Sequence, residues 1–196
     1  MKKARQARSR ETQKKIIAAA EELLKETGSG QFKIENLTTR AGCSTGSFYN
    51  LFADRKALVI AVMRSIADRT LDNIQKIFSD PKLEQADLQT IVQVMVSFSK
   101  EVYHENGPIF RISQTLSMDE PELLCVSQEI VDTTVATIGK LRPMAKLTEA
   151  ELQFLIRMII ATFDHYLFFA DGQALKSDDI NRHLEKVLVR YINSAD

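Results

Sequence analysis

Residues 34 to 58 read IENLTTRAGCSTGSFYNLFADRKAL, and their spacing resolves into two short helices, a tight turn between them and the start of a third helix. Ile34, Leu37 and Ala41 fall at i, i+3 and i+7, one face of a helix about two turns long. Gly42 ends it with the residue type that accepts a left-handed backbone. Ser44 can accept a hydrogen bond from the free N–H of Ser47, so a second helix can begin within three residues. That helix, Thr45 to about Leu51, presents Thr45, Ser47, Tyr49 and Asn50 rather than a continuous apolar face. Asp54 caps the next start, ahead of Leu58, Val59 and Val62. Two short helices at this separation form a helix-turn-helix, a pattern that points to DNA.

Upstream, Ile16, Ile17, Ala20, Leu23 and Leu24 lie on one stripe of a helix from near Ser9 or Glu11 to Thr27, with Gly28 as its stop and Gly28-Ser29-Gly30 as a loop. Downstream, Leu58, Val62, Ile66, Leu71, Ile74 and Phe78 mark a long helix from Arg55 that stops near Ser79-Asp80-Pro81. Three short helices bury little surface alone, so they should lean on this long one.

The formal net charge is zero, which taken alone argues against a nucleic-acid binder. The distribution reverses that argument. Residues 1–58 hold 12 Lys/Arg and 6 Asp/Glu, whereas residues 59–196 hold 14 and 20. Lys2, Lys3, Arg5, Arg8, Arg10, Lys14 and Lys15 stand against Glu11 alone in the first 15 residues. A bland reading is a solubilising terminus. Beside a helix-turn-helix, a flexible basic arm that neutralises phosphates fits better.

Beyond Pro81 the chain reads as helix after helix. One spans Leu88 to Glu105, and Gly107-Pro108 breaks it before a shorter one from Ile109 to Leu116. Pro121 opens another that extends to about Leu141, before Arg142-Pro143. Thr148 and Glu151 form a capping box for a helix to about Ala170, and Asp178 to Ile192 carries a clean amphipathic stripe of Ile180, Leu184, Val187, Leu188, Tyr191 and Ile192. No stretch alternates with period two between turns. The fold class is all-α, with about nine helices. Cys43 and Cys125 are the only cysteines, the first residues are polar and basic, and no 18-residue apolar span occurs. These features predict a cytoplasmic protein with reduced thiols and no membrane partner.

The helix before Gly172 is apolar around most of its circumference, from Leu152 and Phe154 through Met158 and Phe163 to Tyr166 and Phe169. Such a helix is buried on nearly all sides. It is either a central core helix or has one face against its own domain and one against a second copy. Together with the final helix it predicts a homodimer, two helices from each subunit (about 148–170 and 178–192) meeting across a two-fold axis.

Ala41-Gly42-Cys43-Ser44-Thr45-Gly46-Ser47-Phe48-Tyr49-Asn50-Leu51-Phe52 resembles, almost position by position, the turn and recognition helix of the tetracycline-repressor (TetR) family of bacterial regulators. The resemblance implies an N-terminal three-helix DNA-binding domain (residues 1–54, basic arm included). It is fused through helix 4 to a helical effector-binding and dimerisation domain (residues 55–196). It implies DNA contacts from Lys33, Ser44, Thr45, Gly46, Ser47, Tyr49, Asn50, Arg55 and Lys56. Thr45, Ser47 and Asn50 would approach base edges, while Tyr49 and Arg55 would meet phosphate. Gly46 either lets the helix approach DNA closely or packs against the first helix. Some positions depart from the family pattern. Cys43 stands where Val is usual and reads as a small apolar residue under the turn, with a redox thiol as the alternative. Thr38 replaces a usual Ala, Lys33 stands where a hydroxyl would meet phosphate, and Leu51 removes a polar contact.

The same resemblance implies a dimeric repressor, released from a palindromic operator by a small apolar or aromatic effector. The candidate pocket residues are Met95, Phe98, Val102, Tyr103, Phe110, Met118, Met158, Thr162, Phe163 and Tyr166, with His104 or His165 as polar anchors. The alternative is control by a protein partner. The three histidines are far apart in sequence, and neither Cys-x-x-Cys nor His-Glu-x-x-His occurs, so no enzyme, cofactor or metal site is expected.

Overall fold

Helix α1 runs Lys2–Thr27 in the computed structural model, which describes residues 2–28, 32–117, 120–169 and 178–195. The basic segment expected to be a flexible arm is therefore helical from Lys2 onward. Lys, Arg, Gln and Ala are strong helix formers, and no Gly or Pro interrupts them before Gly28. The Thr12 hydroxyl donates to the Arg8 carbonyl at 3.0 Å, and Lys15 pairs with Glu11 at 3.3 Å, one turn apart. Gly28 ends the helix at φ +60°, its N–H donating to the Leu24 carbonyl at 3.0 Å.

Helices α2 (Ile34–Ala41), α3 (Thr45–Tyr49) and α4 (Arg55–Phe78) follow in the predicted order, α3 ending two residues before the expected Leu51. Gly42 takes the left-handed conformation at φ 65°, and the Cys43 N–H returns to the Thr38 carbonyl at 2.9 Å. Ser44 Oγ accepts the Ser47 N–H at 3.1 Å, and Asp54 Oδ1 accepts the Ala57 N–H at 2.8 Å. The expected caps thus supply acceptors for N–H groups that a helix start leaves orphaned. A short helix α5 (Pro81–Glu84) was not expected after the stop at Ser79. Asp80 caps it by accepting the Lys82 N–H, and Pro81 stands at its first position, where a missing N–H costs nothing.

Helix α6 spans Leu88–Ser117 without the expected break at Gly107-Pro108. Pro108 has no N–H for the carbonyl one turn back and its ring crowds that carbonyl, a cost of about 3 kcal/mol in a helix interior. Packing overrides it. Asn106 and Gly107 are buried, and a Cβ on Gly107 would come within 2.9 Å of Leu167 Cδ1. The glycine there serves a close helix contact rather than a turn.

Helix α7 (Pro121–Ile138) is followed by turns that bury Leu141, Met144 and Leu147, ending slightly earlier than the expected Leu141. Helix α8 (Glu149–Phe169) opens on the expected capping box: the Glu151 carboxylate accepts the Thr148 N–H at 2.7 Å, and Thr148 Oγ1 accepts the Glu151 N–H at 3.3 Å. Helix α9 covers Asp178–Ser194. The described residues contain no strand.

The chain forms two compact units whose limits differ from the expected 1–54 and 55–196. One comprises residues 1–67 with 108–124, the other 68–107 with 125–196. The first extends past residue 54 because Leu58, Val59, Val62 and Ile66 of α4 belong to its core, together with Ile16, Ala20, Leu24, Leu37 and Phe48. It also takes in Ile109, fully buried, with Phe110 and Ile112 packed against the same cluster. The second unit is cored by Ile91, Val92 and Val96 of α6, Val131 and Ile138 of α7, Leu155, Ile159 and Phe163 of α8, and Leu184 and Leu188 of α9.

Candidate nucleic-acid interface

Helix α3 is only five residues long, too short to persist without anchors, since helical stability at this length comes from tertiary packing. Its anchors are at both ends. Ser44 caps the start, and its hydroxyl also lies 2.9 Å from that of Ser47. Phe48 is fully buried, tilted against Phe52 at 5.7 Å and edge-on to Tyr49 at 5.1 Å. The residues that remain face outward. Tyr49 is 59% exposed despite its aromatic ring, and Gly46 and Asn50 are exposed as well. Thr45 and Ser47 are half-buried, so Ser47 serves the cap as well as any outer contact. Asn50 stands just past the last helical residue, as the C-cap.

For Gly46 the two readings separate. A Cβ there would meet only Ser44 Oγ, at 3.8 Å, so no neighbour in the chain requires a glycine. Packing against α1 does not explain it.

The cations divide into engaged and presented groups. Lys33 is exposed just ahead of α2. The Arg55 guanidinium is exposed and lies over the Phe32 ring, 5.8 Å from its centre. Phe32 itself is buried, so a core ring presents its π face to an exposed cation. Lys56 is exposed too, and its ammonium pairs with the Glu120 carboxylate. Arg40 ties α2 to α1 through Glu26 at 2.7 Å and Glu22 at 3.6 Å, and this hydrogen bond holds the Glu26 carboxyl below its usual range. Thr38 is buried with its hydroxyl donating to the Glu35 carbonyl at 3.2 Å, the return to its own helix that makes it an acceptable substitute for Ala. Cys43 packs against the apolar core, where burial pushes its thiol pKa up and away from the nucleophilic thiolate. Leu51 is likewise packed there.

The residues named for an effector pocket distribute unevenly. Met95 and Phe163 are buried in the second unit's core, and Phe98, Tyr103 and Met158 pack against it. Val102, Thr162 and Tyr166 are half-buried in the same unit, Thr162 spending its hydroxyl on the Met158 carbonyl at 2.7 Å. Phe110 packs against the core of the other unit, and Met118 lies outside the described residues. His104 and His165 are exposed. Among these residues lies Asp164, which the sequence offers only beside His165 with no nucleophile at a suitable spacing; its Oδ1 accepts the Tyr103 hydroxyl at 2.8 Å. Tyr103 stacks on Phe163 at 5.5 Å, joining the carboxylate to the aromatic pair. Burial pushes the Asp164 carboxyl above its usual range, opposed by the hydrogen bond from Tyr103. No periodicity signals a contact between residues 61 positions apart.

A capped recognition helix on a buried aromatic base, with cations at the starts of α2 and α4, defines a helix-turn-helix DNA-binding protein. Residues 16–62 match the family model described as bacterial regulatory proteins, tetR family. By this match residues 16–62 form a DNA-binding segment of the TetR type. It is 34% identical over 61 residues to the uncharacterised HTH-type transcriptional regulator YvdT of Bacillus subtilis (strain 168). That match spans 31% of each chain, so the similarity covers about a third of the curated relative's length. The fold is similar over nearly the whole chain to a putative TetR-family transcriptional regulator from Mesorhizobium loti. Its TM-score is 0.70 at 18% identity, with 95% of this chain and 97% of that one covered. The multidrug binding protein EbrR complexed with imidazole is also similar, with TM-score 0.63 at 17% identity over 91% and 93%. Among the described residues no helix is long and apolar enough to cross a membrane.

Proposed function

We propose that the protein is a transcriptional repressor that binds a palindromic operator as a homodimer and leaves it when a small apolar or aromatic molecule binds. The observation that carries the DNA reading is α3. A helix of five residues, capped at one end and anchored by Phe48 beneath, turns Gly46, Tyr49 and Asn50 outward, where a structural helix would turn apolar residues inward. Asn50 has the donor and acceptor pair that matches adenine in the major groove, and the Thr45 methyl suits thymine. Ser47 would join them at the base edges, while Lys33, Tyr49 and Arg55 would supply phosphate contacts and register.

The dimer reading is supported by apolar side chains that the chain leaves uncovered. Leu152, Leu155, Ile159 and Phe163 of α8 are buried, while Phe154 is 52% exposed and touches Tyr191 of α9 at 5.6 Å between ring centres. Val187, one turn before Tyr191, is 52% exposed. A second copy that pairs the same helices would cover this patch and set two recognition helices about 34–36 Å apart. The effector reading is supported by the Tyr103–Asp164–Phe163 group, a hydrogen-bonding anchor in apolar surroundings, and by the imidazole complex of a protein with this fold. Coupling of about 1–3 kcal/mol between effector and operator would lower DNA affinity 5- to 150-fold.

Selection of bound duplexes from a random pool tests the reading. The expected result is a palindrome with half-sites one helical turn apart, and recovery of unenriched sequence would overturn it. Against the selected duplex, an apolar or aromatic compound that raises the melting temperature should also weaken DNA binding.

A further inference from the structure

Lys56, one of the cations expected at DNA, is a charge that the chain already engages. It stands second in α4, at the end whose free N–H groups and positive dipole suit a phosphate. Its ammonium is paired, within the same compact unit, with the carboxylate of Glu120. Glu120 immediately precedes α7 in the stretch 108–124, which this unit takes in from far along the sequence. Ile109, fully buried in the unit's core with Phe110 and Ile112 against it, anchors that stretch. The Glu120 side chain is 21% exposed and that of Lys56 is 45% exposed, so the carboxylate is the more enclosed partner and the ammonium the one a phosphate can reach.

We infer that Glu120 is an internal competitor for DNA phosphate. It occupies the Lys56 ammonium and adds a negative charge beside the anion-binding end of α4, which holds duplex affinity below what the interface cations would otherwise give. This inference rests on the DNA-binding reading above. The chemistry is symmetrical: a lysine ammonium is a compact charge with rotatable donors, satisfied equally by a carboxylate or a phosphate oxygen. Partly exposed pairs of this kind are weak and exchange readily. The competition therefore works as a graded setting of affinity rather than an all-or-none lock. The chain reaches Glu120 through α6 and leaves it through α7, so any change that withdraws the carboxylate removes one competitor for the Lys56 ammonium.

The test titrates the full-length chain, E120Q, K56Q and the double variant with a short random-sequence duplex over a salt series, read by fluorescence anisotropy. Random sequence suffices because phosphate contacts are blind to sequence. E120Q should bind several-fold more tightly at low salt, with the slope of log affinity against log salt steeper by about 0.9, one added phosphate contact. K56Q alone should flatten the wild-type slope by only a small part of that, and the double variant should match K56Q. Two results overturn the inference: K56Q flattening the wild-type slope by about 0.9, or a folded E120Q with wild-type affinity and slope. The K56Q comparison stands even where E120Q fails to fold. A wild-type chain that binds no duplex at any salt overturns the DNA reading itself, and this inference with it, a result distinct from the other two.

Discussion

The Tyr103 hydroxyl donates to Asp164 Oδ1 at 2.8 Å, joining α6 to α8 inside the second unit with a carboxyl group that burial holds above its usual pKa. A folded-state pKa raised above the unfolded value, about 4 for Asp, means that the protonated form is the one folding favours. Stability from this group is fully present below that unfolded value and declines as pH rises through the folded one. Asp164→Asn keeps an acceptor for Tyr103 and removes the titration. It should gain stability over the wild type as pH rises from about 4 towards neutrality, and urea melts at a series of pH values measure this. Tyr103→Phe removes the hydrogen bond that lowers the Asp164 pKa, so its carboxyl should titrate still higher by NMR.

Gly46→Ala separates fold from function. The added methyl meets nothing closer than 3.8 Å and replaces a helical glycine, so the variant should melt higher, by about 0.5–1 kcal/mol. Its affinity for the selected duplex should fall, because the methyl fills the space a DNA backbone would approach. Equal or better DNA binding would remove Gly46 from the interface.

Asn50 and Arg55 should fail in different ways. Asn50→Ala should relax preference at one base pair by about 1–3 kcal/mol while leaving random DNA bound as before. Arg55→Gln should weaken every sequence alike and flatten the salt dependence by about one contact. Phe32→Leu keeps the core apolar but takes away the ring beneath the guanidinium. It should reproduce part of the Arg55→Gln loss of affinity, while the smaller buried side chain lowers the melting temperature. Competition binding with selected and scrambled duplexes distinguishes these patterns.

Phe154→Glu places a charge on the uncovered patch of α8 without disturbing the buried stripe of Leu155, Ile159 and Phe163. On the proposed dimer, sedimentation velocity should report a dimer for the wild type and a monomer for the variant. Affinity for a palindrome should then drop towards that for a single half-site. A Phe154→Glu chain that sediments as the wild type would move the dimer contact elsewhere.

Much of this protein is written locally. The glycine at residue 42, the serine cap of α3, the aspartate cap of α4 and the reciprocal Thr148–Glu151 cap all appear where their residue types and spacing put them. Each closes within five residues, through the backbone alone at Gly42 and between a side chain and backbone groups at the other three, so the chain needs no distant partner to specify it. The helix-turn-helix and its outward residues were legible for the same reason.

What tertiary structure decided is where local rules conflict or fall silent. Gly107-Pro108 carries the strongest local signal for a break, yet α6 passes through it, because burial of Asn106, Gly107 and Ile109 on both sides outweighs one lost hydrogen bond. The reach of the first unit past residue 54, its recruitment of residues 108–124, the Lys56–Glu120 pair and the Tyr103–Asp164 bond join positions far apart in sequence. Such contacts leave no periodic trace. The sequence by itself determined which helices form and how they are capped, through interactions that close within a turn. Only the packed fold decided which charges face each other and which carboxylate is buried, because those depend on where separate helices come to rest.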